Sequence, residues 1–449
     1  IVRKAHLPQL LSEITANIYY RTPKIVNELI NRNELSGTVK NARNKILSAL
    51  LAERIKKDLG LQGNGPELNI MRSMLLIPGI LVNNEDPQLE YNCNDERFRE
   101  VLQVIRTHIL NSSQDENINL GELYNTLINP EFGYGLKKGI IPIFLAIAFV
   151  QYKEHLIIKR KDREYAPSAA LLTDIEFSPQ DFKVVLEQWD DDKDSYVCGL
   201  ENVFSQYINT SDRANGIFTY LVKAMRRWYL QLTKFEVTTR LVCDKNGVII
   251  PADSSIIRFR NALSNSEINA HEFLFKQLPN IFGTDTLDNA LVGVRNAYQK
   301  ISTTYPNFHA KFIDEIKTIF EAKNDESLTS TIANFYDDLK DATKEHLFSG
   351  KIGMFLDIAK HPNNDEFKLV EAIARALFNL RMGDFNDDIM NCFIEGVRLV
   401  RDEILAYNAG TETASNTIGS YKIMFSDEDG NFVTRQFDTT EDSQEGQFL

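Results

Sequence analysis

Apolar residues recur at helical spacing along most of the chain, beginning at its first residues. Between His6 and Tyr20 they stand three or four positions apart, which predicts an amphipathic helix. Thr22-Pro23 is typical of an N-cap followed by proline in the first turn, so a second helix is predicted over residues 24–31. Further helices are predicted from Val39 to about Leu59 and from Glu67 to Leu76. Gly and Pro residues separate these segments.

The next segment changes from helical spacing to a strand pattern and back. The predicted elements are, in order, helices Phe98–Leu110, Leu120–Ile128 and Leu136–Tyr152, strand His155–Arg160, a turn at Lys161–Arg163, return strand Glu164–Ala166, and a helix from Ser178-Pro179 to about Trp189. Three helices followed by a hairpin is the element order of a winged helix, a variant of the helix-turn-helix. The hairpin would be its wing.

The remainder is predicted to be helical, apart from two hairpins. Asn246-Gly247 lies between Leu241–Cys243 and Val248–Ile250, and Asp429-Gly430 lies between Tyr421–Phe425 and Phe432–Phe437 near the end of the chain. Residues 254 to 407 have helical spacing throughout.

We therefore predict a mainly α fold with short β-hairpins, built from several domains that include a winged-helix-like unit. The predicted units are an N-terminal helical unit (1–88), the winged-helix-like unit (89–190), a helical linker unit with a hairpin (191–253), a C-terminal helical unit (254–409) and an acidic tail with a hairpin (410–449).

Composition narrows the class of protein. Hydrophobic residues make up 43% of the 449 residues and charged residues 25%, which excludes a wholly disordered chain. A net charge of −13 argues against a general nucleic-acid binder and leaves room for a local basic patch. The longest apolar run, Ile140–Val150, is interrupted by Pro142 and is shorter than the roughly 20 residues of a membrane span. No membrane partner is predicted.

Cysteine usage and the first residue add two expectations. The four cysteines are widely spaced and include no CxxC pair, which indicates a reducing cytoplasm rather than a disulfide scaffold. The sequence begins with Ile1 instead of Met, so we expect it to be a fragment of a longer protein or a processed chain.

A basic cluster surrounds the predicted wing. Between Tyr134 and Tyr165 seven basic residues face three acidic ones. The candidate DNA-binding residues in this stretch are Lys137, Lys138, Lys159, Arg160, Lys161 and Arg163. Basic side chains on a wing can contact the phosphate backbone. The third helix is apolar on every face, which is typical of a buried helix, so it is not expected to read base edges. Nonspecific DNA contact, protein docking and an internal spacer all remain open.

A second basic group has interleaved aromatic residues. Its members are Lys223, Arg226, Arg227, Lys234 and Arg240, with Trp228, Tyr229 and Phe235. Arginine beside aromatic rings can stack on bases, but aromatics at helical spacing usually belong to the core, and we favour the core interpretation.

One acidic stretch has part of the spacing of a calcium loop. Asp190, Asp192 and Asp194 would be ligands at positions 1, 3 and 5, with Glu201 at position 12. Ser195 stands where the loop needs glycine, and Cys198 is a poor ligand for a hard cation, so this is a weak candidate beside the alternative of a solvated acidic loop.

No complete catalytic motif is present. Gly350-Lys351 lacks the earlier glycine and the following Ser/Thr of a phosphate-binding loop. The seven histidines form neither an HxxxH nor an HExxH pair, so no zinc site is predicted. We predict no catalytic residue and no cofactor within the chain.

Several phrases together resemble the C-terminal accessory region of large bacterial P-loop ATPases, including the large ATPases of BREX-type phage-exclusion systems. The phrases are Tyr20-Arg21-Thr22-Pro23 with Asn27–Arg32, Leu59-Gly60-Leu61 with Gly65-Pro66-Glu67, Pro130–Leu136 through Pro142, and Glu164–Pro167. The resemblance covers about residues 18–190. It implies helical and winged-helix-like segments downstream of an ATPase whose nucleotide-binding motifs would lie upstream of this chain.

These observations predict a non-catalytic region of a larger ATPase that binds a protein partner or DNA and couples it to the motor, in phage defence. ATP would act only through the upstream domain. The alternative is a free-standing winged-helix DNA-binding or scaffold protein. A hydrolase with an unrecognised site is a third class.

Overall fold

A computed structural model describes residues 7–112, 118–244, 247–410, 417–426 and 432–440, the last two as backbone. The chain divides into two compact units. The first contains Ile1–Gln231 and Asp253–Tyr298, and the second contains Leu232–Ala252 and Gln299–Leu449.

The described residues are mainly helical, as predicted. The α-helices, in chain order, are α1 (Leu7–Ile18), α2 (Gly37–Leu50), α3 (Pro66–Met71), α4 (Glu96–Asn111), α5 (Leu120–Ile128), α6 (Ile141–Tyr152), α7 (Ala169–Phe177), α8 (Asp191–Val203), α9 (Ile217–Gln231), α10 (Lys234–Thr238), α11 (Ser254–Ser264), α12 (Ala270–Glu272), α13 (Leu278–Phe282), α14 (Leu287–Ile319), α15 (Leu328–Asp337), α16 (Asp341–Glu345), α17 (Gly350–Lys360), α18 (Glu366–Phe378) and α19 (Asp387–Gly410).

The strands form small antiparallel sheets. They are β1 (Leu81–Val82), β2 (Gln88–Leu89), β3 (Leu156–Arg160), β4 (Arg163–Tyr165), β5 (Phe182–Leu186), β6 (Leu241–Cys243), β7 (Ile249–Pro251), β8 (Thr417–Ser426) and β9 (Phe432–Thr440). One sheet has three strands in the order β4-β3-β5, and the other strands pair as β1-β2, β6-β7 and β8-β9.

The predicted hairpins are confirmed where they are described. β3 pairs with β4 in the register Ile158↔Tyr165, and β6 pairs with β7 in the register Val242↔Ile250. Gly247 has a φ of +77°, a conformation that favours glycine in the turn. β8 pairs with β9, while Asn246 and the predicted Asp429-Gly430 turn lie outside the described residues.

The core of the first unit surrounds α6. Every residue from Ile141 to Phe149 is buried, which confirms the prediction of a buried apolar helix. The helix is shorter than predicted, because it begins at Ile141 and not at Leu136. Gly139 precedes it, and a Cβ there would lie 2.7 Å from the carbonyl oxygen of Arg32. This close backbone contact requires glycine at position 139.

Two predicted N-terminal helices are wrong in extent. Residues 24–31 form no helix: residues 24–27 have no regular structure and residues 28–30 form a turn, because the Asn27 side chain accepts hydrogen bonds from the backbone N–H groups of Leu29 and Ile30. The helix predicted from Val39 to Leu59 ends at Leu50. Beyond that end, the Asp58 backbone N–H donates to the Asn83 side-chain oxygen, and the Asn83 amide donates to the Asp58 carboxylate, both at 2.7 Å.

The helix predicted from Ser178 to Trp189 is also wrong. Pro179–Asp181 form a single 3-10 turn, and Phe182–Leu186 then form strand β5, which pairs with β3. The pairing partner of β5 lies before α7 in the sequence, so local spacing could not reveal it. Two adjacent valines, Val184 and Val185, favour the strand.

The second unit holds a separate core. α14 contributes Phe308, Phe312 and Ile316 to it, and α18 and α19 supply about half of the remaining apolar side chains. Helical structure over residues 254 to 407 agrees with the prediction.

Candidate functional site

The candidate DNA-binding residues fall into two groups in the fold. Lys137 and Lys138 precede α6, whereas Lys159, Arg160, Lys161 and Arg163 lie on the β3–β4 hairpin that follows it. A helix of twelve residues, about 18 Å long, separates the groups. The hairpin group holds four of the six candidate residues.

Most of the hairpin charges are engaged within the first unit. The Arg160 guanidinium lies 3.2 Å from the Asp181 carboxylate, and the Arg163 guanidinium lies 2.9 Å from that of Glu267. Lys159 is half-buried in β3. Lys161 is exposed at the turn with a φ of +55°. The hairpin therefore offers less free positive charge than its sequence suggests.

The edge of β4 that does not pair with β3 is covered by the segment from Ser266 to Glu272. The Glu164 backbone N–H donates to the Asn269 side-chain oxygen at 3.1 Å, and the Asn269 amide donates to the Asp162 carbonyl at 2.6 Å. The Glu164 carboxylate accepts hydrogen bonds from the backbone N–H groups of His271 and Glu272. The Asn269 side-chain amide thus hydrogen-bonds the backbone at this edge as a neighbouring strand would.

A buried polar network continues from this edge to the end of β5. His271 Nε2 lies 2.7 Å from the Glu187 carboxylate, and the Lys193 ammonium lies 2.5 Å from its other oxygen. Burial alone would raise the pKa of Glu187, but the hydrogen bonds from His271 and Lys193 lower it to about 2. Glu187 is therefore ionised and joins β5 to α8 and α12.

Sequence reasoning missed Asn269, Glu267, His271 and Glu187 as partners of the hairpin. About one hundred residues separate Asn269 from the strand that it contacts. No local motif marks these residues, so their role appears only in the fold.

The acidic stretch proposed as a weak calcium loop is helical. The Asp190 carboxylate caps α8 by accepting the Lys193 backbone N–H at 2.9 Å, and Asp192, Asp194 and Glu201 lie within the helix. Glu201 is engaged by Tyr220 and Arg213. Within the described ranges no group of three or more His, Cys, Asp or Glu residues is arranged to hold a metal ion.

Three members of the second basic group, Lys223, Arg226 and Arg227, belong to the structural framework of the first unit. Lys223 and Arg227 both pair with Asp212, and Arg226 donates to the Ser266 carbonyl. Trp228 and Phe235 are buried. These contacts support the core interpretation over base stacking.

Helix α1 presents an uncovered apolar face. Residues 8–18 are all exposed, and the apolar side chains Leu10, Leu11, Ile14 and Ile18 are 38–52% exposed. They lie on one side of the helix at i, i+1, i+4 and i+8. Large apolar side chains that share an exposed helix face are typical of a binding surface.

The chain that follows α1 is anchored on the Pro130–Gly135 loop. The Arg21 backbone N–H donates to the Gly133 carbonyl at 3.1 Å, and the Arg21 guanidinium lies 2.6 Å from Glu100 and over the Tyr134 ring. The Tyr19 ring packs so closely on Gly135 that a Cβ there would lie 2.4 Å from it. Two of the phrases that carry the ATPase resemblance are therefore in direct contact.

The His155 ring is stacked on the Trp189 ring, with centroids 4.2 Å apart. Burial lowers the pKa of His155 below 6.5, despite the neighbouring carboxylates of Glu187 and Asp194. The neutral ring therefore contributes stability above about pH 6.5, which is lost as the pH falls through the lowered pKa. We expect tryptophan fluorescence to fall in a step below pH 6.5 in the folded protein, as the imidazolium quenches Trp189.

A fluorescence titration from pH 8 to 5 measures this step, and His155→Gln is its control. The step should be absent in that variant. A step centred at or above pH 6.5, or one that persists in the variant, would contradict the burial of His155.

Comparison with known proteins gives no match: no family model, no curated protein and no solved structure is similar to this chain. In the part of the chain that the structure describes, no helix is both long and apolar enough to cross a membrane.

Proposed function

We propose that this chain is a non-catalytic region of a larger bacterial ATPase, which binds a protein partner and couples it to the motor in phage defence. The uncovered apolar face of α1 carries the coupling part of the proposal, as the surface that would bind the ATPase segment. Binding is favoured when a partner removes the apolar face of an amphipathic helix from water. The ATPase part rests on the resemblance of the phrases in residues 18–190.

We further propose that α4, α5 and α6 with the β3–β4 hairpin form a winged-helix-like unit. The order of three helices and a hairpin supports this assignment. The unit departs from a DNA reader in two ways. α6 is buried and presents no donors or acceptors to base edges, and the edge of β4 is occupied by Asn269. These departures favour a protein partner over DNA.

A reducing cytoplasm is the proposed compartment. The four cysteines are free, and the thiols of Cys198 and Cys392 are exposed. Exposed thiols remain reduced in the cytoplasm, whereas an oxidising compartment would favour their pairing.

The reading frame that encodes this chain provides a direct check on the ATPase part. We expect it to encode, upstream of Ile1, a Gly-x-x-x-x-Gly-Lys-Ser/Thr loop, the motif that holds the phosphates of ATP. A complete reading frame without that motif would contradict this part of the proposal, and the α1 surface would then belong to a free-standing scaffold.

The α1 surface is tested by adding charge to its apolar face. Leu11→Lys with Ile14→Lys should weaken binding of the ATPase segment from the same reading frame by at least about tenfold, because two apolar contacts are lost and two charges would be buried. Both residues are exposed, so the melting temperature of the chain should not change. Surface plasmon resonance with the immobilised ATPase segment measures the affinity.

A matched control adds the same two charges to the opposite face of α1. Gln9→Lys with Ser12→Lys should bind as the unmodified chain does, since both residues are polar and exposed. Equal loss of binding in the two variants would indicate a charge effect and would contradict the apolar surface as the contact.

A further inference from the structure

A cleft in the second unit combines basic side chains, an aromatic ring and a polar floor. Its volume is about 690 Å³, which is within the range of small-molecule sites. The cleft is bordered by α10, α14, α18 and the turn before α19. None of its residues belongs to a motif that the sequence identified as catalytic or cofactor-binding.

The rim of the cleft carries an excess of positive charge, because four basic residues line the cleft beside two acidic ones, Glu371 and Asp384. Lys234, Lys368, Arg375 and Arg381 line it, and all four are exposed. Among the described residues Lys234, Arg375 and Arg381 have no ion-pair partner, and Lys368 lies 3.7 Å from Asp365 on its own helix. In a chain with a net charge of −13, this grouping of cations favours an anionic ligand.

The Glu371 carboxylate at the floor is already occupied by groups of the second unit. It accepts a hydrogen bond of 2.5 Å from the Tyr305 hydroxyl and one of 3.3 Å from the Met382 backbone N–H, and His309 Nε2 lies 3.3 Å from it. Burial raises the pKa of Tyr305 far above its usual range, and the bond to Glu371 raises it further, so the hydroxyl remains a donor. Glu371 is thus fixed in place by these contacts and is not paired with the cations of the rim.

Phe367 adds an apolar surface beside the cations. One face of its ring is stacked on His309, with centroids 3.5 Å apart and planes 15° apart. The residue is 41% exposed and lines the cleft. A ring held in this way on one side can stack with a flat group of a ligand on the other.

We propose that this cleft binds a small organic anion with a phosphate group and a flat ring, the chemistry of a nucleoside diphosphate. Arg375 and Arg381 would bind the phosphates, because the planar guanidinium forms paired hydrogen bonds with phosphate oxygens. Phe367 would stack on the ring. The site consists only of residues of the second unit and does not depend on the partner-binding role of α1.

Isothermal titration calorimetry on the full chain tests the site, with ADP as the probe. We expect saturable binding of ADP that Arg375→Gln with Arg381→Gln weakens by roughly tenfold to a hundredfold, since hydrogen bonds between charged groups are lost. A control, Lys360→Gln with Arg398→Gln, removes two positive charges from exposed positions of the second unit that do not line the cleft. It should leave ADP affinity unchanged.

Two smaller probes, inorganic phosphate and adenosine, test the phosphate contact and the ring contact separately. Phe367→Leu should weaken ADP several-fold and leave the weaker binding of inorganic phosphate unchanged. Adenosine should bind more weakly than ADP. Thermal melts of each variant confirm that the second unit is folded before its affinity is compared.

The proposal is overturned if the folded wild-type chain gives no heat of binding with ADP, or if the control variant loses as much affinity as the arginine variant. Phosphate that binds as tightly as ADP would overturn the ring contact. A short single-stranded oligonucleotide that displaces ADP at lower concentration would identify the cleft as a nucleic-acid groove instead.

Discussion

Phe144→Asp is expected to prevent the first unit from folding. Phe144 is fully buried near the start of α6, and its ring packs on Phe98 with centroids 5.5 Å apart. Loss of the aromatic ring costs about 3–5 kcal/mol in packing, and the carboxylate adds the cost of an unpaired buried charge. The sum approaches the entire stability of a typical domain, about 5–15 kcal/mol.

Tryptophan fluorescence reports the unfolding of the first unit alone, because both tryptophans, Trp189 and Trp228, belong to that unit. We expect the variant to show the red-shifted emission of exposed indole and no cooperative transition in urea. Phe144→Leu is the matched control and should unfold cooperatively, with a loss of about 1–2 kcal/mol. A Phe144→Asp variant that melts cooperatively would contradict the buried position of α6.

Glu176→Gln is expected to destabilise the first unit by roughly 3–5 kcal/mol, because it leaves the charge of Arg43 buried without a counter-ion. Arg43 on α2 is fully buried, and its guanidinium lies 2.7 Å from the Glu176 carboxylate on α7. A second guanidinium nitrogen donates to the Gly139 carbonyl at 3.1 Å. The pair thus joins α2 and α7 to the backbone before α6.

A double variant that removes both charges distinguishes the effect of an unpaired charge from that of lost packing. Arg43→Met with Glu176→Met should be less destabilised than Glu176→Gln alone, since no unpaired charge remains. Urea unfolding followed by tryptophan fluorescence gives the free energies. Equal or greater loss in the double variant would show that packing, and not the unpaired charge, determines the stability of this region.

The parts of the fold that the sequence predicts are those fixed by local spacing. The apolar run around Phe144 has no polar face, so only a buried helix can accommodate it. Gly247 follows the short apolar strand Leu241–Cys243 and indicates the hairpin turn. In both cases neighbouring residues alone determine the element.

The parts that could not be predicted depend on contacts between distant residues. Strand β5 exists because β3 is available to pair with it. The basic hairpin is a similar case, since Glu267 and Asn269 reach it from about one hundred residues away. A count of local charge in the sequence therefore overestimates the positive surface of the hairpin. The turn at Asn27 is a local exception, in which a side chain competes with the helical hydrogen bonds.

Fluorescence anisotropy with a duplex of about 30 base pairs, in low and physiological salt, tests most directly whether the partner is a protein and not DNA. With the β4 edge occupied and α6 buried, we predict no binding that weakens with salt. We also predict no difference when Lys159→Glu is combined with Lys161→Glu. Binding that falls steeply with salt, and that the double variant weakens, would contradict this account and establish the hairpin as a DNA contact.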